Sequence, residues 1–205
     1  MAINLQKGQT ISLEKDTNDL SQITIGLGWK IRKKGFFAKL TGGNQEHDLD
    51  AIAFVLDENG KVRNLGDKLI GSDVIFFQNL RHPSGTIYHS GDNRVGSSGD
   101  NDDEQIVVRL NSVPAQYHRI LFLVQIYQGQ RNNQHFGEVE NAYMRAIDAK
   151  GKEIARYSLG ADPNYNGKCI MVFGEVFRQG GGWKFSALGE GHATDNFVEI
   201  LKTRV

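Results

Sequence analysis

Carboxylates crowd one short segment of the chain, residues 91–104. The segment reads GDNRVGSSGDNDDE and holds five acids, whereas an even spread of the chain's 24 Asp and Glu residues would place fewer than two there. Its three glycines let the backbone turn its own carbonyl groups toward an ion. Calcium takes six to eight oxygen ligands from carboxylates, backbone carbonyls and water. The segment is therefore predicted to bind calcium through Asp92, Asp100, Asp102, Asp103 and Glu104.

A second acidic pair, Asp48 and Asp50, directly precedes a predicted strand, as Asp102 and Glu104 also do. Residues on one face of a strand recur at every second position. This spacing puts Asp48 and Asp50 in line with an apolar face, and it does the same for Asp102 and Glu104. A carboxylate in line with a core is costly unless it is paired or bound to a cation. The two segments are therefore predicted to share a metal site at the mouth of a sandwich, with Asp73 nearby.

Short runs rich in β-branched and aromatic residues recur along the whole chain, bounded by Gly, Asn and Asp. Such runs are typical of strands, and Gly-containing turns at residues 57–60, 82–85, 148–151 and 179–182 indicate hairpins. The pattern favours an all-β fold, an antiparallel β-sandwich with one or two short helices. The helices are predicted near residues 134–141 and 195–201. The strands are predicted at residues 10–13, 22–27, 51–57, 74–80, 86–90, 105–110, 120–127, 142–148, 153–158, 169–178 and 182–189.

The composition argues against several classes of function. Lys plus Arg and Asp plus Glu both number 24, so the formal net charge is zero. Broad nucleic-acid surfaces need an excess of cations, and none is present in the total. The single cysteine, Cys169, excludes a Cys-based zinc site and an internal disulfide. No apolar run approaches the roughly 20 residues of a membrane span. Together with the lack of a signal peptide, these features predict a cytoplasmic protein.

Other site chemistries fit the residues less well than calcium does. An EF-hand loop that began at Asp100 would need glycine where the chain has Gln105. Magnesium prefers fewer carboxylates, and zinc prefers His or Cys, whereas the histidines here are scattered. The GLGW stretch at residues 26–29 lacks the third glycine of a nucleotide-binding loop, so its glycines indicate a bulge or close packing. Cys169 lies in an apolar strand and is expected to be inert. With no catalytic constellation found, the protein is predicted not to be an enzyme.

Eight short stretches, taken together, resemble a known family. The chain is similar to the TerD family of bacterial tellurium-resistance and stress-response proteins, and the matches follow the family's order over nearly the whole chain. The stretches are KGQ at 7–9, GLGW at 26–29, DLDA at 48–51, GDNR at 91–94, DDE at 102–104, NAYMR at 141–145, EIARY at 153–157 and GWKF at 182–185.

This resemblance implies a single TerD-type domain over residues 1–205 that binds one or two calcium ions. It also implies membership of a multi-component cytoplasmic stress system, with other stress proteins as partners and docking near the inner membrane. The ligands that the resemblance implies are Asp48, Asp50, Asp92, Asn93, Asp102, Asp103 and Glu104.

Two further functions stay open on the residues alone. A bound metal with an open coordination position can activate water, which would make the protein a hydrolase of a phosphate compound. Calcium could instead bridge the acids to phospholipid headgroups. The many hard oxygen ligands and the lack of a nearby base favour a calcium-dependent binding or scaffold module over the hydrolase. Direct contact with tellurium is not expected, because soft chalcogen chemistry calls for thiols and Cys169 is the single one.

Overall fold

A computed structural model describes residues 2–31, 48–90, 102–159 and 162–205, apart from the side chains of residues 30 and 31. Strands are the main regular structure of the described chain, and they are joined by turns and a few short helices. The strands are β1 Ile3–Leu5, β2 Thr10–Ser12, β3 Ile23–Ile31, β4 Leu49–Leu56, β5 Val74–Ile75, β6 Ile87–His89, β7 Glu104–Val108, β8 Arg119–Ile126, β9 Val139–Asp148, β10 Glu153–Leu159, β11 Ile170–Gln179 and β12 Gly182–His192. The α-helices are α1 Gly129–Asn132 and α2 Phe197–Leu201, and 3-10 turns form at Leu110–Ser112, Phe136–Glu138, Pro163–Tyr165 and Lys202–Arg204.

The strands form two six-stranded sheets. Sheet A has the order β1-β10-β9-β3-β7-β6, and sheet B has the order β2-β12-β11-β8-β4-β5. Neighbouring strands pair antiparallel, except that β1 lies parallel to β10. The prediction of an all-β antiparallel sandwich with short helices is confirmed.

Two apolar cores hold these layers together. The inner core lies between the sheets and includes Leu27 of sheet A and Phe122 of sheet B. The outer core covers the far face of sheet B, where Phe197 of α2 packs against Phe54 and Phe76 with ring centroids 6.3 and 5.4 Å apart. Strands β4 and β8 therefore lie between two cores and are buried on both faces over most of their length.

The predicted hairpin turns differ in what they connect. Those at residues 148–151 and 179–182 join β9 to β10 and β11 to β12, as predicted. The turn at 82–85 closes with a 2.8 Å hydrogen bond from Gly85 N–H to His82 O, and it folds residues 80–82 back against β6. The turn at 57–60 forms as well, but the chain continues through residues 61–73 before β5 pairs with β4.

Other element predictions need correction. The strand predicted at 74–80 ends at Ile75, because the chain turns between Phe76 and Asn79 and the Asn79 amide donates to Val74 O at 2.6 Å. The helix predicted at 134–141 is wrong: a single 3-10 turn at Phe136–Glu138 leads directly into β9. The helix predicted at 195–201 is confirmed as α2, and β1 was not predicted.

Candidate metal centre

The carboxylate of Glu104 bridges the two sheets at one end of the sandwich. Glu104 opens β7 of sheet A, and its side chain points inward on the same face as Ile106. It accepts a hydrogen bond from the Ala51 backbone amide in β4 of sheet B. The imidazole of His89, in the neighbouring strand β6, places Nε2 3.4 Å from Glu104 Oε2. Glu104 therefore continues the inner apolar face of β7, as the sequence predicted.

Asp48 and Asp50 lie at the same end of the sandwich, on β4 and the residue before it. Asp48 is exposed and Asp50 is half-buried. Burial, followed by the negative charges of Asp48 and Glu104, raises the pKa of Asp50 from 3.8 to about 6, against the opposing effect of His89. The Glu104 carboxylate contacts Ala51, the residue next to Asp50, so the two acidic segments lie together at this end of the sandwich.

The apolar face behind Asp50 differs from the expected one. Asp50 is in line with Ile52 and Phe54, and both side chains belong to the outer core beneath α2 rather than to the core between the sheets. Asp50 and Glu104 therefore approach the same end of the sandwich from different layers.

Asp102 does not continue the inner face of β7, which corrects the prediction from alternation. Its carboxylate lies on the outer face of sheet A, the face turned away from sheet B, and its side chain is 0% exposed. Oδ1 accepts hydrogen bonds from Arg145 Nε at 2.8 Å and Tyr143 OH at 3.0 Å, and Oδ2 accepts from Gln105 Nε2 at 2.9 Å. The alternation fails because β7 begins at Glu104 and the chain bends at Asp103.

Two glycines of β3 make room for this arrangement. A Cβ at Gly26 would lie 2.1–2.5 Å from the carboxylate atoms of Asp102, and one at Gly28 would lie 2.4–2.5 Å from the ring and hydroxyl of Tyr143. No side chain could be added at either position without moving these groups. The close packing that the GLGW stretch indicated is confirmed.

Five side chains on the outer face of sheet A form a closed network, called the polar ring below. Its members are Asp102, Tyr143, Arg145, Glu153 and Arg156. Arg145 also pairs with Glu153 at 3.2 Å, and Glu153 accepts two 2.9 Å hydrogen bonds from the guanidinium of Arg156. The ring closes because the Arg156 guanidinium stacks over Tyr143, 4.3 Å from the ring centroid. Burial and the charge and hydrogen bond of Asp102 raise the pKa of Tyr143, so its hydroxyl stays a donor. Sequence reasoning assigned no role to Tyr143 or Arg156.

The remaining predicted ligands are placed as follows. Asp103 is exposed, and its Oδ2 accepts a 2.8 Å hydrogen bond from the Trp29 backbone amide. Asp92, Asn93 and Asp100 lie outside the residues that the structure describes.

The described residues supply part of what a calcium site needs. Asp48, Asp50 and Glu104 offer hard oxygen donors and negative charge, both of which suit calcium. Asp102 does not fit as a direct ligand in this arrangement, because its oxygens are engaged by three donors and shielded from solvent. In the part of the chain that the structure describes, no group of three or more His, Cys, Asp or Glu side chains is arranged to hold a metal ion.

Asp73 lies apart from these acids, in a buried network that the sequence did not predict. Its Oδ1 accepts hydrogen bonds from Tyr117 OH at 2.9 Å and pairs with His82 Nε2 at 3.0 Å. Its Oδ2 accepts from the backbone amides of Arg63 and Asn64. Its backbone O accepts from the Val55 amide at 2.8 Å, which places Asp73 beside β4 five positions beyond Asp50. The prediction that Asp73 lies near the metal site is therefore not supported.

Ser84 extends this network, giving the residue types of a Ser-His-Asp site. Ser84 Oγ lies 2.7 Å from His82 Nδ1, but the same nitrogen also accepts the Ser84 backbone amide at 3.1 Å. Ser84 Oγ in turn lies 2.7 Å from Thr86 Oγ1 and accepts the Thr86 amide. The side chains of His82 and Asp73 are 1% and 0% exposed. These bonds fix the 82–85 turn, and the buried imidazole offers no approach for a substrate.

The thiol of Cys169 is expected to be unreactive in the folded protein. Cys169 is 2% exposed, its Sγ donates to Gln134 O at 3.3 Å, and burial together with the charge of Asp195 raises its pKa. Because the thiolate is the reactive form, a colorimetric disulfide reagent should label no thiol in native buffer and one per chain in denaturant. Rapid labelling of the folded protein would contradict this placement.

Among the described residues, no helix has the length and apolar character needed to cross a membrane.

Comparisons with known proteins give the same family for the whole chain. A family model described as the TerD domain matches residues 1–203. The chain is 49% identical over 211 residues to tellurium resistance protein TerX of Serratia marcescens, covering 98% of this chain and 99% of that protein. It is 39% identical over 209 residues to stress response protein SCP2 of Bacillus subtilis strain 168, covering 100% of both.

A solved structure supports the fold as well. The crystal structure of a homologue of telluride resistance protein TerD from Streptomyces coelicolor A3(2) superposes with a TM-score of 0.61 at 21% identity, covering 90% of this chain and 98% of that one. At this identity the likeness concerns the fold alone. With the family model and the relatives above, the chain belongs to the TerD family, as its short sequence stretches indicated.

Proposed function

We propose that this protein binds calcium and acts as a calcium-dependent binding or scaffold module in a tellurium-resistance or stress-response system. The observation that carries the proposal is the contact of the Glu104 carboxylate of sheet A with Ala51 of sheet B, the residue next to Asp50. Burial, together with the negative charges of Asp48 and Glu104, raises the pKa of Asp50 to about 6. Carboxylates that repel one another at a partly buried place favour either protonation or a bound cation. At neutral pH a divalent cation relieves the repulsion without requiring a proton.

The chemistry of the donors supports calcium over other metals. Carboxylate oxygens are hard ligands, and calcium accepts several of them in flexible geometry. Softer metals favour thiol or imidazole groups, and the imidazole of His89 is held against Glu104. The proposal keeps Asp92, Asn93, Asp100 and Asp103 as further ligands, for one or two ions. Asp102 is proposed to hold its segment in place instead of contacting the ion.

Binding is proposed over catalysis for two reasons. The relatives are named as resistance and stress proteins, and these names describe a protective role. The Asp73–His82–Ser84 chain of hydrogen bonds, which has the residue types of a hydrolytic site, is buried and committed to its own turn. A hydrolase of phosphate compounds and a calcium-dependent phospholipid-binding module remain the alternatives, and clear turnover or calcium-dependent vesicle binding would favour one of them.

The partners are proposed from the family. Other proteins of the same stress system are the expected binding partners, and docking at the surface of the inner membrane from the cytoplasm is the expected location. The calcium-loaded end of the sandwich is proposed as the contact region, because the ion changes the charge there most.

Calcium is expected to bind the wild-type protein and raise its melting temperature. At a hundredfold excess over Kd, binding adds about 2.7 kcal/mol to the free energy of unfolding, which corresponds to roughly 5–10 °C for a chain of this size. Calorimetric titration with calcium gives Kd and the number of ions, and thermal unfolding with calcium or with a chelator gives the stabilisation. Both signals should be lost in an Asp48→Asn, Glu104→Gln double variant.

A matched control is Glu58→Gln, which removes an exposed carboxylate just beyond the opposite end of β4. This variant should keep the wild-type affinity and stabilisation, because the strand separates it from Asp48 by roughly 30 Å at 3.3 Å per residue. An unchanged titration in the double variant, or no binding by the wild type, contradicts the proposed site.

A further inference from the structure

We propose that Arg145 and Tyr143 are positioning residues for the metal centre, acting through Asp102 to hold the Glu104 carboxylate toward Asp50. This inference rests on the proposed calcium site and assigns it residues on the opposite face of sheet A. Neither Arg145 nor Tyr143 supplies a ligand to calcium, since one is a cation and the other donates its hydroxyl to Asp102.

The chain bends between Asp102 and Glu104. These residues are two positions apart, so in a regular strand their side chains would share one face. Here Asp102 points to the outer face of sheet A and Glu104 points inward. The chain bends at Asp103, whose N–H donates to Leu27 O at 2.8 Å and whose Oδ2 accepts from Trp29 N–H at 2.8 Å. The bend therefore sets the direction of the Glu104 side chain.

Asp102 holds this bend from the outer face of sheet A. Its carboxylate lies directly above Gly26, in a space that any Cβ would fill, and it is bound there by Arg145 and Tyr143. Burying a carboxylate this deeply is costly unless charged and neutral donors satisfy it. Once the donors are removed, the carboxylate gains by moving out to water, and the bend that it anchors moves with it.

The two donors to Asp102, Arg145 and Tyr143, are themselves held in fixed positions. Arg145 lies between Asp102 and Glu153, Glu153 also binds Arg156, and Arg156 stacks on Tyr143. The side chains of the four charged residues are between 0% and 24% exposed. A network of linked side chains with little solvent access is a rigid support for one carboxylate.

The consequence is that the ring should tune calcium affinity without changing the number of ions. Residues that orient the ligands of a metal typically change its affinity by about 10–100-fold when they are replaced. With the anchor intact, Glu104 is already directed at the site before the ion arrives. With the anchor lost, binding must first order residues 102–104, and this ordering weakens the observed affinity.

The experiment is calorimetric calcium titration of Arg145→Gln and Tyr143→Phe, well below the melting temperature of each metal-free variant. Arg145→Gln is expected to weaken Kd by about 10–100-fold with the wild-type number of ions. Tyr143→Phe keeps the aromatic ring stacked under Arg156 and removes one hydrogen-bond donor to Asp102. It should therefore weaken calcium binding in the same direction as Arg145→Gln, but by a smaller factor. The milder variant keeps the test decisive if Arg145→Gln does not fold.

A double-mutant cycle shows whether Arg145 acts through Asp102. The effects of Arg145→Gln and Asp102→Asn should be far from additive, because each change breaks the same anchor. The control is Arg109→Gln, which alters an exposed arginine stacked over Tyr88 and should leave Kd unchanged.

The outcomes separate this inference from the calcium site itself. If the wild type binds no calcium, both ideas are wrong. If it binds and the ring variants keep the wild-type Kd, the ring is only structural and the inference is overturned. Tighter binding by Arg145→Gln, or fewer ions bound by Asp102→Asn alone, would show that Asp102 is a ligand for which Arg145 competes, and this result also overturns the inference.

Discussion

Replacing Asp73 with alanine is expected to lower the free energy of unfolding by about 3–5 kcal/mol, because it removes one partner of a buried charged network. Asp73 is fully buried and accepts from His82, Tyr117 and the backbone amides of Arg63 and Asn64 at 2.9–3.1 Å. Alanine would leave these donors desolvated and without an acceptor. Equilibrium urea unfolding, followed by tryptophan fluorescence, measures the loss directly.

The matched control is Asp67→Asn, an exposed acid in the same connection between β4 and β5. This control should change stability by less than about 0.5 kcal/mol, as surface substitutions usually do. The two variants should bind calcium with the same affinity when both are folded, since Asp73 lies beside β4 five positions beyond Asp50. A loss below about 1 kcal/mol in Asp73→Ala would show that the network is not held together by this carboxylate.

The pH dependence of the Asp73 effect has a definite sign. Burial alone would raise the pKa of Asp73, but the hydrogen bonds from His82, Tyr117 and Asn64 outweigh it, and the pKa is lowered below 3.8. A carboxyl with a lowered pKa stabilises the folded state above its unfolded pKa and loses that contribution as the pH falls through its folded pKa. The difference between wild type and Asp73→Ala should therefore be constant at neutral pH and shrink below about pH 4.

The sheets could be predicted from the sequence because strand alternation is a local signal. The apolar runs that became β4 and β8 had few polar positions, and this continuity fits strands that are buried on both faces. The approach of the two acidic segments followed from the same local reasoning, and Glu104 of one segment does contact Ala51 of the other. What alternation could not give was the outer core, because the helix that covers it lies more than 60 residues farther along the chain than β8.

The position of Asp102 could not be predicted for a related reason. Alternation applies only inside a strand, and β7 begins two residues after Asp102. Its partners Tyr143 and Arg145 lie about 40 residues away and look like ordinary outward-facing strand residues in the sequence. One signal was present: Gly26 and Gly28 alternate in β3, and glycines at this spacing indicate that something packs closely on that face. The sequence therefore indicated free space above Gly26, but it did not indicate that the Asp102 carboxylate fills this space.

Asp50→Asn is expected to stabilise the metal-free protein and to weaken its binding of calcium. The folded pKa of Asp50 is raised to about 6 from 3.8. A group of this kind contributes stability below its unfolded pKa and loses it as the pH rises through its folded pKa. The ionised carboxylate therefore opposes folding at pH 7.5. A shift of about two units corresponds to at most ~3 kcal/mol, and partial exposure of the side chain reduces this to about 1–2 kcal/mol.

Asparagine removes this repulsion and keeps the size of the side chain, so the variant should melt roughly 2–8 °C above the wild type in chelator at pH 7.5. Near about pH 3 the two proteins should have equal stability, because Asp50 is then mostly protonated in both the folded and the unfolded state. With excess calcium the order should reverse, since the wild type gains about 2.7 kcal/mol at a hundredfold excess over Kd. Thermal unfolding at both pH values, with and without calcium, tests all of these expectations.

The reversal is diagnostic because a purely structural acid cannot produce it. If Asp50 only packed against its neighbours, its replacement would lower the melting temperature with and without the ion. Glu58→Gln, an exposed acid beyond the other end of β4, should change neither curve. A variant that is less stable than the wild type in chelator would show that the charges of Asp48 and Glu104 do not strain Asp50. The electrostatic basis for placing an ion between the two sheets would then be lost.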